Sequence, residues 1–174
     1  MKNSTFPIAV VLIAFGVACS CSRSLVNQPN KQADIDDIKA EMQRAVSATK
    51  VKDINGVMAR YVPDESLLVF DAITPREYRG AAALRKNLEG FFSLYPGTIQ
   101  TEASDLKIET DGNLGYGHAI LRIHGPGKDG KPLDMTVRRT EVYKKINGHW
   151  LVIHVHDSWP VDFQTGKPDM DSKP

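Results

Sequence analysis

The chain has 174 residues, enough for one domain with short extensions. Its hydrophobic fraction of 41% and charged fraction of 25% are those of a globular protein and exclude a disordered one. Lys and Arg number 22 against 21 Asp and Glu, so there is no basic excess of the kind that draws a protein to nucleic acid.

The first residues carry a targeting pattern. Lys2 supplies a positive start, and Phe6 to Ala18 is apolar apart from Pro7 and Gly16. The run is short for a membrane span and polar sequence follows at once, so residues 1–20 read as a signal peptide. Small residues precede both Cys19 and Cys21, which resembles the cleavage box of bacterial lipoproteins and makes both candidates for lipid attachment. Plain export with cleavage after Ser20, and an uncleaved anchor, are the alternatives. The expected address is periplasmic or lipid-anchored to the cell envelope, with membrane contact through the lipid anchor only. There is no other Cys, so the domain has neither a disulfide nor thiol chemistry.

Residues 21–33 are polar and read as a tether. Asp34 is the expected N-cap of a helix running to Lys50, with Ile35, Ile38, Met42, Ala45 and Val46 in one stripe. A short helix follows from Asp53 to Tyr61 and is stopped by Pro63. Leu67 to Asp71 is a buried strand ending in a carboxylate. Ala81 to Leu94 is helical, with Leu84, Leu88 and Phe91 inward, and Pro96-Gly97 ends it. The remainder is strand: Thr98–Thr110, Leu114–His124, Leu133–Ile146 and Trp150–Trp159. Asp111-Gly112-Asn113, a Gly/Pro-rich loop with Asp129-Gly130, and the hairpin dipeptide Asn147-Gly148 separate them. Residues 168–174 are a polar tail. Helices followed by consecutive antiparallel strands define an α+β domain with helices over one face of a sheet.

Several phrases, in this order, resemble the SnoaL-like branch of the nuclear transport factor two-like superfamily. They are Asp53-Ile-Asn-Gly-Val-Met-Ala-Arg-Tyr61, Val69-Phe-Asp71, Glu77-Tyr-Arg-Gly80, Arg85 to Phe92, Val137-Arg138-x-Thr140, and Asn147 to Ser158. The likeness spans about 34–167. It implies a cone-shaped half-barrel of antiparallel strands covered by N-terminal helices, a pocket between sheet and helices, and a homodimer. It does not imply one activity, since the fold hosts isomerases, cyclases, dehydratases, epoxide hydrolases and non-catalytic binding modules.

Strand register narrows the candidates. A two-residue loop at Asn147-Gly148 places Arg138 opposite Asp157 and Glu141 opposite His154; closure at Asp129-Gly130 places His118 opposite Glu141. One face is then apolar, with Ala119, Leu121, Ile123, Val142, Leu151, Ile153 and Val155, and carries Arg138, Thr140 and Asp157 toward its rim. The other holds His118, Arg139, Glu141, Trp150, His154 and His156. The family likeness suggests His154 near the pocket, parity suggests the opposite face, and a bulge in either strand would exchange the faces.

The candidate catalytic residues are Asp71, as general base or orienting group beside Tyr78, then Tyr78 itself, His154 (or His118) for proton transfer, and Arg138 for a carboxylate or enolate oxygen. His118, Thr140, His156 and Asp157 are candidate ligand contacts. No phosphate loop, dinucleotide fingerprint, nucleophile elbow or reactive Cys is present, and no cofactor is expected. His154-x-His156 with Glu141 is a weakly specific metal alternative, and no metal ligand is assigned. The expected function is an apolar pocket for a small organic molecule, with cofactor-independent isomerase, cyclase or dehydratase chemistry. A non-catalytic binding or dimerisation module is the alternative.

Overall fold

The structure, a computed structural model, describes residues 30–170. The signal-like segment with Cys19 and Cys21, most of the tether and the end of the tail lie outside the described residues.

Helix α1 spans Lys31–Val51, and its cap is Asn30, whose side chain accepts from the Ala33 N–H at 3.3 Å. It therefore starts before Asp34. That carboxylate is 4% exposed, and Lys145 Nζ and Trp150 Nε1 donate to it at 2.5 and 3.0 Å. The ammonium hydrogen bond, with the indole, outweighs burial and holds the carboxyl below its usual range. One side chain thus clasps α1 to the last hairpin. Lys52, in the left-handed region, ends α1 by returning its N–H to Ala48 and Thr49. Asp53 then caps α2 (Ile54–Met58), accepting from the N–H groups of Asn55 and Gly56. Helix α3 is Ala81–Ser93.

The strands are β1 Leu68–Phe70, β2 Tyr78–Arg79, β3 Gln100–Thr110, β4 Leu114–Gly125, β5 Leu133–Ile146 and β6 His149–Ser158. They form one sheet in the order β2-β1-β6-β5-β4-β3. Strands β3 to β6 make an antiparallel meander, and β1 adds to β6 in parallel. Leu68-Val69-Phe70 is too short to announce a partner, so this parallel addition has no signal in the pattern of strands. The core lies between the helices and one face of the sheet: Ile38, Val57, Leu84 and Phe92 pack with Ile108, Tyr143, Val152 and Val155. Fully burying each such side chain is worth roughly 1.5–3 kcal/mol.

Register departs from expectation at two places. Asn147 and Gly148 both have positive φ and close the β5–β6 hairpin in the expected frame, so Ile146 pairs with His149 and Tyr143 with Val152. The next pair is Val142 with His154. Ile153 is the extra residue of a bulge, and parity reverses across it. Trp150 and Val152 are buried before the bulge; Val155 and Asp157 are buried after it. Arg138 consequently pairs with Ser158 and Arg139 with Asp157, not Arg138 with Asp157. Between β4 and β5 the turn at Lys128–Gly130 shifts pairing by one residue, placing His118 opposite Thr140 and Gly117 opposite Glu141. Both shifts bring Arg139 and Glu141 onto the helix-covered face.

Replacing Asp34 with Ala is expected to lower unfolding free energy by about 1–3 kcal/mol, since two buried donors lose their acceptor. Urea denaturation would measure it, and an unchanged midpoint would mean that the clasp is incidental.

Candidate functional site

Between α1, α3 and the inner face of the sheet lies a cavity of about 160 Å³. Met42, Ala45, Leu84, Leu88, Phe91 and Phe92 give it apolar walls on the helical side. Its polar residues come mainly from the sheet: Arg139 and Glu141 from β5, Asp157 from β6, and Asp71 just after β1. Arg60 after α2 and Asn87 of α3 add to them, with Thr49, Tyr61 and Thr101 also on the wall. A second chamber of about 120 Å³ shares Asp71, Asn87, Phe91, Arg139 and Asp157 and is bordered on its far side by Ile73, Met135 and Trp159.

Alternation explains why charged side chains occur at this depth. In an inward-facing row of β5, Val137, Arg139, Glu141 and Tyr143 follow one another at every second residue. Burying two guanidiniums and two carboxylates is costly unless each is paired, and here the pairing is close. Arg60 donates from both terminal nitrogens to Glu141, at 3.0 and 2.7 Å. The Tyr143 hydroxyl donates to the same carboxylate at 2.5 Å. Arg139 grips Asp157 through Nε and a terminal nitrogen at 2.7 and 2.5 Å. Its remaining nitrogen lies 3.8 Å from Glu141, joining the two pairs into one chain of alternating charge. Burial alone would raise the Glu141 carboxyl. The guanidiniums of Arg60 and Arg139 outweigh it, and the group is held below its usual range. Folding lowers this pKa. The stabilisation is therefore full above the unfolded value of about 4.3 and is lost as pH falls toward the lower folded one.

Asp71 behaves in the opposite way. It is half-buried, and no cation lies within ion-pair distance of it among the described residues; its carboxyl accepts from backbone N–H groups, that of Ile73 at 3.4 Å and that of Ala72. Desolvation, with the nearby Asp157 charge contributing, pushes its carboxyl above the usual range despite backbone donors. Asp71 is thus displaced toward the neutral form and Glu141 away from it.

The other residues expected from the sequence are placed as follows. Tyr78 sits outside the main cavity but donates to Asn87 Oδ1 at 2.8 Å, leaving the Asn87 amide N–H group as that residue's polar contact for a ligand. Asp157 lines both chambers. Arg138, Thr140, His118 and His156 are exposed, on the opposite face of the sheet from the cavity. His154 is also on that face: its Nδ1 is 2.9 Å from the Leu68 carbonyl, and its ring meets Phe70 edge-on at 5.1 Å. Glu141 and the two histidines therefore lie on opposite faces, and the cluster considered for a metal does not assemble. Sequence reasoning misses Arg60, Arg139 and Asn87 as site residues, and names Glu141 only in the metal alternative. An unbulged register puts Arg139 and Glu141 on the polar outer face, and Arg60 looks like the solvated end of a short helix.

An antiparallel meander curved over three helices, with a half-enclosed cavity between them, is the nuclear transport factor two-like fold. The profile of the SnoaL-like domain matches residues 38–162, and the chain belongs to that family. It is similar to a nuclear transport factor two-like protein of unknown function from Pseudomonas putida, with 31% identity over 82% of this chain and 98% of that one and a TM-score of 0.73. A candidate dehydratase of the same fold family from Streptomyces avermitilis aligns with 12% identity over 74% of this chain and 97% of its own, at a TM-score of 0.65. A candidate aromatic ring hydroxylase from Novosphingobium aromaticivorans aligns with 16% identity over 75% and 92%, at a TM-score of 0.66. At these two identities the likeness is one of fold. No curated protein matches the chain significantly.

Truncating Arg60 to Ala is expected to cost about 3–5 kcal/mol by stranding Glu141, whereas replacing both Arg60 and Glu141 by Met and Leu should cost much less. Chemical denaturation of the two variants decides it; a double variant at least as unstable as the single one would overturn the pairing argument.

Proposed function

We propose that this domain holds a small, mostly apolar organic molecule in the cavity and that Asp71 exchanges a proton with it without a cofactor. One observation carries the reading: Asp71 is a desolvated carboxyl without an ion-pair partner among the described residues, at the junction of the two chambers. The four other cavity charges neutralise one another and are held by bidentate contacts. They form a fixed polar floor, while Asp71 is free to change charge. A carboxyl whose pKa is raised toward neutrality is a better general acid or base at physiological pH than an ordinary one. Asn87, oriented by Tyr78, would steady a ligand oxygen near that carboxyl. Isomerisation, cyclisation and dehydration all need such a transfer next to an oriented oxygen.

The pairing of both guanidiniums with carboxylates favours a second reading, a non-catalytic binding module with the same ligand class. Export, acylation at Cys19 or Cys21, and a homodimer formed through the outer sheet face complete the proposal. The half-exposed Tyr116 and Leu114 on that face give a partner copy apolar surface to cover. Mass spectrometry of the mature N-terminus and sedimentation of the domain test these parts. An unprocessed Met1 would sink the first and a monomer at high concentration the second.

The catalytic reading is tested by proton exchange. Single-ring ketones, enones and hydroxyketones in D2O are expected to exchange α-protons faster with the protein, and Asp71→Asn should remove about 10²–10⁴-fold of that rate. As base, Asp71 acts only when ionised. Its raised pKa places the rising limb of the pH–rate profile above the usual carboxylate range of about 3.9. Protein-independent exchange across the panel would leave only the binding reading.

A further inference from the structure

The two chambers meet at a waist. Asp71, Asn87, Phe91, Ile123, Arg139 and Asp157 line both of them. Asn87 and Phe91 come from α3, and the others come from the sheet or, for Asp71, from the end of β1. Polar groups are therefore gathered between the chambers, and the ends differ from the middle. The residues that line the outer chamber but not the inner are Ala72, Ile73, Met135, Val137 and Trp159, with no charge among them. Beyond the waist the inner chamber has Met42, Ala45, Val57, Leu84 and Phe92, and its charges there, Arg60 and Glu141, are joined to each other by two hydrogen bonds. Volume sets what each end takes. An apolar cavity of about 150 Å³ admits a benzene-sized molecule. The inner chamber, at about 160 Å³, is of that size, and the outer, at about 120 Å³, suits a smaller group such as a branched alkyl. At the waist, the Oδ1 of Asn87 is occupied by the Tyr78 hydroxyl, which leaves the amide N–H group as the donor. That donor calls for an oxygen acceptor. An anionic group there would meet both Asp71 and Asp157, with Arg139 already held by the latter.

We infer that the ligand is an uncharged two-lobed ketone: a ring-sized apolar end in the inner chamber, a smaller apolar end in the outer one, and the carbonyl between them at the waist beside Asn87 and Asp71. This rests on the cavity being the ligand site, and it names the substrate class of that site. The carbons next to a central carbonyl lie at the waist as well, which is where Asp71 would exchange a proton. A molecule with its oxygen at one end would press that oxygen against apolar wall, where it loses its hydrogen bonds to water and gains none.

The test measures affinities by ligand-observed NMR for three ketones. Benzyl isobutyl ketone has both lobes and a central carbonyl. Benzyl methyl ketone lacks the outer lobe. Phenylbutyl methyl ketone is an isomer of the first with its carbonyl near one end, so bulk hydrophobicity does not separate the two. Benzyl isobutyl ketone is expected to bind at least about tenfold more tightly than either of the others. Val137 is buried and lines the outer chamber alone. Val137→Phe should therefore remove the advantage over benzyl methyl ketone while leaving the latter's affinity within about twofold. Equal binding of the two isomers, no gain over benzyl methyl ketone, an advantage that survives Val137→Phe, or tighter binding of the amine that corresponds to benzyl isobutyl ketone would each overturn this inference. Binding of benzyl methyl ketone in those cases would leave the cavity as a ligand site. Failure of every probe to bind would overturn both. If Val137→Phe does not fold, the isomer pair on the wild-type protein decides alone.

Discussion

A single extra residue in β6 governs the chemistry of this domain. Without Ile153 in a bulge, Trp150 and Val152 could not share the inner face with Val155 and Asp157, because side chains of a regular strand alternate. The bulge lets the first half of β6 bury its indole against α1 and the second half place a carboxylate at the cavity. Arg139 is then directly across from Asp157 on β5, and the bidentate contact follows from the pairing. The outer face receives His154 and His156, which are displaced from the cavity by the same residue.

The ion chain that results is better understood as architecture than as a source of stability. Removing ions from water costs about as much as their attraction returns, so the Arg60–Glu141 and Arg139–Asp157 contacts add little net free energy. They do fix positions. Arg60 comes from the helical layer and Glu141 from the sheet, and the two are separated by 81 residues in sequence. Their contact sets the spacing between the layers at the cavity floor, with Tyr143 below it. A rigid floor makes the contrast with Asp71 meaningful: one group in the cavity can gain or lose a proton without rearranging the rest.

Much of the fold is legible in the sequence because it depends on local chemistry. Asp53 as a cap, Asn147-Gly148 as a hairpin and the 3.6-residue stripe of α1 each need only a few neighbouring residues to be recognised. The order of helices and strands, with the resemblance it carries, supplies the rest of the architecture. The site is less legible, and the reason is parity. Register counted outward from a turn is correct until the first bulge and wrong by one residue afterwards. Ile153 has nothing in its sequence context to mark it as unpaired. Asp71 and Asp157 emerge as cavity candidates for different reasons: Asp71 from its place at a strand end, Asp157 from a register that names the wrong arginine. Asp34 reads as a cap because capping is the usual role of an Asp before a helix, whereas its partners are more than a hundred residues away.

The position of β6 in the sheet also bears on the order in which the protein can assemble. The last strand of the sheet in chain order lies inside it, between β1 near the start of the domain and β5. During synthesis α1 emerges before the other described elements, yet the groups that receive Asp34 are Lys145 and Trp150. Strands β3 to β5 can join one another as they appear, since their contacts are between sequence neighbours. Strand β1 must wait for β6, whereas α1 already has α2 and β3 to pack against, so the joining of β1 to β6 is the long-range step and carries the entropy of bringing distant segments together. A nascent chain therefore exposes the edge of β5 until β6 arrives, and the polar floor of the cavity is complete only then.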